Sequence, residues 1–241
     1  LQFFAVILYA QEPTVQDCLG AIPVCQQIYT ETVSASGDGN YSNEINGSES
    51  CTDGENNSIW YVFTANEDGN LGFIITPNNF DDDYDWALFD ITNASCDDIY
   101  DDPSLQVSCN AAGGGGCHGP TGANGDTNWN VQGAGCNVNP PSLFSGFSPF
   151  NDFIPMQQGN TYVLMVSNWT GSTNGYTIDF GGSTGLGIID ETIPEIDNTI
   201  LPDECNENEI FIEFSEYIQC STIANSNFAL AGPGGPSTVN V

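Results

Sequence analysis

The sequence predicts an all-β fold, a disulfide-bonded antiparallel β-sandwich, and three observations predict it. Short apolar or alternating runs recur between turn-rich stretches, and no long segment sustains a 3.6-residue period. Aromatic and β-branched residues dominate those runs. Nine cysteines sit among Gly, Asn, Thr and Ser, without the regular spacing of metal-ligand repeats, which points to oxidised thiols. A chain of 241 residues holds one large or two modest β domains, each able to bury a real core.

The chain opens with an uncharged apolar run, Leu1 to Ala10, followed by Gln11-Glu12-Pro13. It reads as the tail of a secretory signal, residues 1–10, and is too short to span a bilayer. The alternative is a retained strand that inserts into a neighbour's sheet edge. Strands are predicted at Ser58 to Thr64, Leu71 to Thr76, Asp85 to Ile91, Leu105 to Cys109, Thr161 to Asn168 and Gly175 to Phe180. In the first of these Ile59, Tyr61 and Phe63 share one face, and Trp60 and Val62 the other. Both faces are apolar, as in the centre of a sandwich. Glu67-Asp68-Gly69-Asn70 supplies the Asp-Gly pair of a hairpin between two of these strands.

Ala111 to Ser148 is rich in Gly, Asn and Pro and is expected to be a long surface excursion. Gly181 to Gly185 then punctuates the chain before Thr192-Ile-Pro-Glu-Ile196, a linker into a second unit. There Ile210, Ile212 and Phe214 alternate with Phe211 and Glu213 in a clear strand. The division expected is a sandwich over residues 11–185 and a partial second unit over residues 186–241, short for a domain of roughly 100 residues.

Composition excludes some functions. There are 32 Asp and Glu, no Lys or Arg, and a single histidine, His118, for a net charge of -32. Such a surface repels phosphate backbones and anionic headgroups, which excludes nucleic-acid binding. No later segment is long and apolar enough to insert into a membrane. The carboxylates must stay solvated, spread apart, or share cations such as calcium. Nearness in sequence pairs Cys96 with Cys109, Cys117 with Cys136 and Cys205 with Cys220. Of Cys18, Cys25 and Cys51 one is left over, and Cys25 with Cys51 is the pairing expected.

Asp81-Asp82-Asp83-Tyr84-Asp85 is the sharpest local feature. In an extended segment Asp81, Asp83 and Asp85 point to one side, and three carboxylates that close demand a cation or a raised pKa. Calcium fits such hard oxygen ligands, so Asp81, Asp82, Asp83 and Asp85 are the expected metal ligands. Trp86 stands where an EF-hand needs Gly, which rejects that motif. Asp97, Asp98, Asp101 and Asp102 read as a solvated loop. Trp129, Trp169 and Tyr176 are candidates to stack on sugars; Trp129, flanked by Asn128 and Asn130, is the preferred ligand contact, core packing is expected for Tyr176, and Trp169 stands open between the two. Catalysis is not expected: the sole histidine lies in a Gly-rich loop beside a structural cysteine, and no phosphate-cradling loop is present.

Ordered pieces of the chain resemble the amino-terminal module of large surface proteins from gliding bacteria that use type IX secretion. These are Gln16-Asp-Cys-Leu-Gly-Ala-Ile-Pro-Val-Cys25, Asn43-Glu-Ile45, Ser58-Ile-Trp-Tyr-Val-Phe-Thr64, Phe73-Ile-Ile-Thr-Pro-Asn78, Asp82-Asp-Tyr-Asp-Trp-Ala87, Thr161-Tyr-Val-Leu-Met-Val-Ser-Asn168 and Tyr176-Thr-Ile-Asp-Phe180. The order of these pieces is also similar to pre-peptidase carboxy-terminal and CUB-like sandwiches of jelly-roll type, modules that often bind calcium or glycans. Glu213-Phe-Ser-Glu-Tyr-Ile218 and Thr222 to Leu230 resemble the start of bacterial Ig-like domains. The resemblance implies an extracellular, non-catalytic adhesive or structural module, calcium-stabilised, with a glycan or another cell-surface ligand. Alternatives are a homopolymeric filament built by strand exchange and the accessory domain of a secreted hydrolase.

Overall fold

The computed structural model describes residues 13–112, 118–125, 132–134, 149–188, 195–200, 210–214, 230–232 and 235–237. The chain divides into two compact units at Asp190/Glu191. In the first unit the strands run β1 (Ile22–Pro23), β2 (Ile28–Glu31), β3 (Ile59–Thr64), β4 (Gly69–Leu71), β5 (Phe73–Pro77) and β6 (Tyr84–Asp90). They continue with β7 (Gln106–Ala111), β8 (Thr121–Ala123), β9 (Gln132–Ala134), β10 (Phe150–Asn151), β11 (Ile154–Met156), β12 (Thr161–Asn168) and β13 (Tyr176–Asp179). The predicted all-β class holds, and each of the six strands read from the sequence is present within a residue or two at either end.

Two sheets form the sandwich. One has six strands in the order β1-β3-β12-β6-β7-β9, the other five in the order β10-β8-β5-β13-β2. The long central pairings β3–β12, β6–β12, β6–β7, β5–β13 and β2–β13 are antiparallel as expected. The short pairings β1–β3, β8–β10 and β7–β9 are parallel, so the sheets are mixed. The main core lies between the sheets and gathers Ile59, Tyr61, Phe63, Phe73, Ile75, Trp86, Leu88, Leu164, Tyr176, Ile178 and Phe180. Phe180 stands at its centre, edge-on or tilted to Tyr29, Tyr61, Phe63 and Phe73. The buried hydroxyls of Tyr61 and Tyr176 bond each other at 2.8 Å, which satisfies both inside an apolar layer.

A second core covers the outer face of the six-stranded sheet. Trp60, Val62, Ala87, Phe89, Cys109, Val163 and Met165 on that face are packed by Cys18, Ala21, Ile45, Ile91, Cys96 and Ile99 from the loops. Trp60 stacks on Phe89 with ring centroids 6.0 Å apart. This explains why β3 is apolar on both sides: the sequence alternation feeds two cores.

The expected hairpin at Glu67 to Asn70 is not one. β3 and β5 lie in different sheets, so Asp68-Gly69 carries the chain across the sandwich instead of folding it back on itself. β4 pairs with β11, and Asp68 Oδ1 accepts the Gln158 N–H at 2.8 Å. Gly69 is required by close approach, since a Cβ there would meet the Thr184 and Gly185 backbone within 2.6 Å. The predicted surface excursion also yields a buried strand, β8. Its Thr-Gly-Ala sequence has no apolar alternation to betray it, and Gly122, at φ +144, lies where a side chain would run into the Phe73 backbone. The first unit runs past Gly185, because Leu186 and Ile188 insert into its main core.

In the second unit β14 (Ile196–Ile200) pairs antiparallel with β15 (Phe211–Phe214), and β16 (Leu230–Gly232) with β17 (Gly235–Ser237). The strand predicted around Ile212 is β15.

Two disulfides fasten the outer layer, and they differ from the pairings expected. Cys18 joins Cys96, 78 residues away, and Cys51 joins Cys109, 58 residues away. The expected Cys96–Cys109 and Cys25–Cys51 pairs are therefore corrected, and Cys25 is a free, exposed thiol. The reason is the β6–β7 hairpin. Cys109 pairs in register with Ala87 in the middle of the sheet, whereas Cys96 begins a 3-10 turn in the loop beyond Asp90. Thirteen residues apart in sequence, they sit at different levels of the hairpin and meet partners from the layer above. Cys117, Cys136, Cys205 and Cys220 lie outside the described residues, as do Trp129 and residues 1–10.

Candidate functional site

The Asp81 to Asp85 run bridges the end of the β5–β6 loop and the start of β6, and the structure separates its four carboxylates. Asp81 is exposed. Asp82 is buried but committed: Oδ2 accepts Ser172 Oγ at 2.6 Å and Asn174 Nδ2 at 3.0 Å. It anchors the β12–β13 loop to the β5–β6 loop. Asp83 and Asp85 remain.

Strand alternation gives their direction. Tyr84, Trp86 and Leu88 fill the main core, so Asp83 and Asp85 share the opposite face with Ala87 and Phe89. Asp83 is 6% exposed and Asp85 5% exposed, and Oδ1 of each is buried without a hydrogen-bond partner. Across the sheet Asp85 lies opposite Ser167, but the Ser167 hydroxyl donates to the Asn56 carbonyl at 2.8 Å. Burial pushes the Asp85 carboxyl up to about 8, and the neighbouring charge of Asp83 adds to it. Burial also raises Asp83, opposed by the charge of nearby His118, whose side chain is exposed. Of the four Asp expected as calcium ligands, Asp83 and Asp85 each keep a buried oxygen without a hydrogen-bond partner among the described residues, Asp81 is exposed and Asp82 is bonded elsewhere. Among the described residues no three His, Cys, Asp or Glu side chains come together to hold a metal ion.

Asp83 is also tied to the neighbouring loop through its backbone. Its N–H donates to Thr170 Oγ1 at 2.7 Å, and its carbonyl accepts the Trp169 N–H at 3.0 Å. Trp169 is 47% exposed, which leaves it a loop aromatic and not a core residue, and Phe80 on the β5–β6 loop is 62% exposed. Tyr176 is buried as expected. The carbonyl of Asp82 accepts the Gly119 N–H at 3.1 Å, which brings a third loop to the same end.

Three other acids, Asp17 buried and Glu44 and Glu55 half-buried, were not legible in the sequence. Asp17 is fully buried, and its carboxylate accepts Thr14 N, Thr14 Oγ1, Asn40 N and Tyr41 N between 2.5 and 2.8 Å. Glu44 takes the Cys18 N–H at 3.0 and 3.1 Å, and its carboxyl is raised to about 7, chiefly by burial and then by Asp17 and Asp97. Glu55 accepts Ser58 Oγ at 3.2 Å and Trp60 Nε1 at 3.3 Å through Oε2 and leaves Oε1 buried without a partner. Burial and the charge of Glu44 raise it to about 8. These acids are spread over 39 positions, Asp17 to Glu55, and no spacing announces them.

No described helix is long and apolar enough to cross a membrane. No family model, curated protein or solved structure matches the chain.

Proposed function

We propose that the chain is a secreted cell-surface module, adhesive or structural and non-catalytic, that presents ligand-contacting loops on a rigid sandwich. The observation that carries this reading is the pair of disulfides that lock the outer layer onto the six-stranded sheet. Such bonds persist in oxidising, extracellular compartments. A net charge of -32 without Lys or Arg supports the same setting, since it keeps polyanions away and leaves metal ions as the counter-charges. A neutral glycan is the ligand class that fits best, because exposed aromatic rings stack on sugar faces without needing charge. Trp169 and Phe80 join Trp129 as contact candidates. Calcium enters this reading as a stabilising ion near the Asp81 to Asp85 run.

The test is a glycan array probed with the full chain, together with thiol labelling under denaturing conditions. Saturable glycan binding that weakens at least tenfold in Trp169→Ala supports the reading. Free thiols at Cys18, Cys51, Cys96 and Cys109 in freshly secreted protein would remove its main support.

A further inference from the structure

We propose that Asp83 and Asp85 together hold one divalent cation of the hard, oxygen-seeking class, calcium, and that this ion fixes the loop bearing Trp169. The inference rests on the extracellular reading above, because weak sites of extracellular modules fill only where calcium is plentiful.

Three observations lead to it. The two side chains point the same way from one extended segment, each is more than nine-tenths buried, and each has an Oδ1 without a hydrogen-bond partner among the described residues. Among the described residues the neighbouring side chains are turned elsewhere: Ser167 donates to the Asn56 carbonyl, Ser172 and Asn174 donate to Asp82, and Thr170 Oγ1 accepts the Asp83 N–H. The chain itself has no Lys or Arg to supply the missing positive charge, and His118 remains exposed. A buried carboxylate pair in that state is stabilised by a cation or by a proton. A shared proton neutralises one of the two charges and leaves the other buried. A calcium ion carries two positive charges and its loose coordination geometry accepts both carboxylates at once. Softer metals prefer imidazole or thiolate, and no such ligand set forms among the described residues.

The consequence runs through Asp83. Its side chain would be an ion ligand while its backbone holds Trp169 and Thr170, so occupancy of the site orders the aromatic loop. Asp81 and Asp82 take no part, the first exposed and the second bonded elsewhere.

The experiment compares the full chain with Asp85→Asn, Asp83→Asn and Asp81→Asn in calcium titration calorimetry, in melts with EDTA or CaCl2, and in hydrogen exchange at the Trp169 amide. Expected are one bound calcium and a higher Tm with calcium for the wild type and for Asp81→Asn. Calcium should also slow Trp169 exchange by about tenfold or more. Asp85→Asn should lose the calcium response while melting higher than wild type in EDTA, because a buried anion has been removed. Asp83→Asn is the second check on that loss if Asp85→Asn folds poorly. A wild type without calcium heat or Tm shift overturns the site, as does a calcium response that survives in Asp85→Asn. If Asp85→Asn melts higher in EDTA while the wild type ignores calcium, the pair shares a proton and the proposal falls. Glycan binding indifferent to EDTA would leave the surface-module reading intact and break the link to Trp169. Calcium binding without any glycan binding would do the reverse.

Discussion

Asp17 and Asp85 are the same residue type at nearly the same burial, yet the protein treats them in opposite ways. Asp17 receives four donors, three of them backbone N–H groups, and organises the layer around it. Asp85 has an oxygen that faces none and a carboxyl pushed up to about 8 by burial and by Asp83. The difference teaches how a chain without Lys or Arg buries carboxylates: the backbone supplies the partners, or something outside the chain does. Turns are able to aim several N–H groups at one point, as residues 14, 40 and 41 do, whereas a strand start has its N–H groups committed to the ladder.

The largest effect should come from freeing the layer that holds Asp17. The Cys18–Cys96 bond closes 78 residues, and chain entropy alone assigns it about 4.5 kcal/mol. Cys18→Ser with Cys96→Ser should lower unfolding stability by that amount in urea titration. The Cys51–Cys109 bond closes a shorter loop of 58 residues and should cost slightly less to remove. Stability unchanged in the first double variant would mean that the layer is held by Asp17 and the outer core without the bond.

Asp17→Asn comes next and tests the comparison directly. It exchanges an acceptor oxygen for an amide in the midst of four donors, so a loss of about 2–3 kcal/mol is expected from urea unfolding. Asp85→Asn in EDTA should move stability in the opposite direction. Two changes of the same sign would break the contrast between a saturated and a starved carboxylate.

Glu44 and Glu55 sharpen it through pH. Burial raises them from about 4.5 to about 7 and about 8, so the folded state prefers their protonated forms. Their contribution is fully present below about pH 4.5 and is lost as pH rises through 7 and then 8. Melts in EDTA should therefore show stability that declines across that window. Glu55→Gln should flatten the decline by about 1–2 kcal/mol, after allowance for solvent screening of a partly exposed group. A slope unaffected by Glu55→Gln would assign the decline elsewhere.

These effects also mark where sequence reasoning reached its end. The two-faced β3, the long strands and the all-β class were legible because period-2 alternation is written into consecutive residues. Asp83 and Asp85 were legible as neighbours for the same reason. The donors of Asp17, the route of the chain between sheets at Gly69 and the partners of Cys18 and Cys51 were not. Each depends on which segments meet after dozens of residues, and nearness in sequence misled the cysteine pairing where the hairpin separates Cys96 from Cys109. Trp169 was legible only as an open choice between loop and core: it follows the buried β12 directly, and the hydrogen bond from its N–H to the Asp83 carbonyl shows that the chain has already turned outward.

Trp169→Ala should have a small effect on stability and the most specific effect on binding. With 47% of its surface in water, Trp169 has about half the burial of Trp60 to lose, so a loss of about 1–2 kcal/mol is expected in urea unfolding. Trp60→Ala, which removes a fully buried ring from the outer core, should cost about 3–5 kcal/mol by the same measurement. If Trp169→Ala destabilises as Trp60→Ala does, its ring is a packing element and the aromatic loop is no ligand surface. If the loss stays that small while glycan binding falls, the exposed ring is retained for contact, because nothing inside the fold requires an indole there.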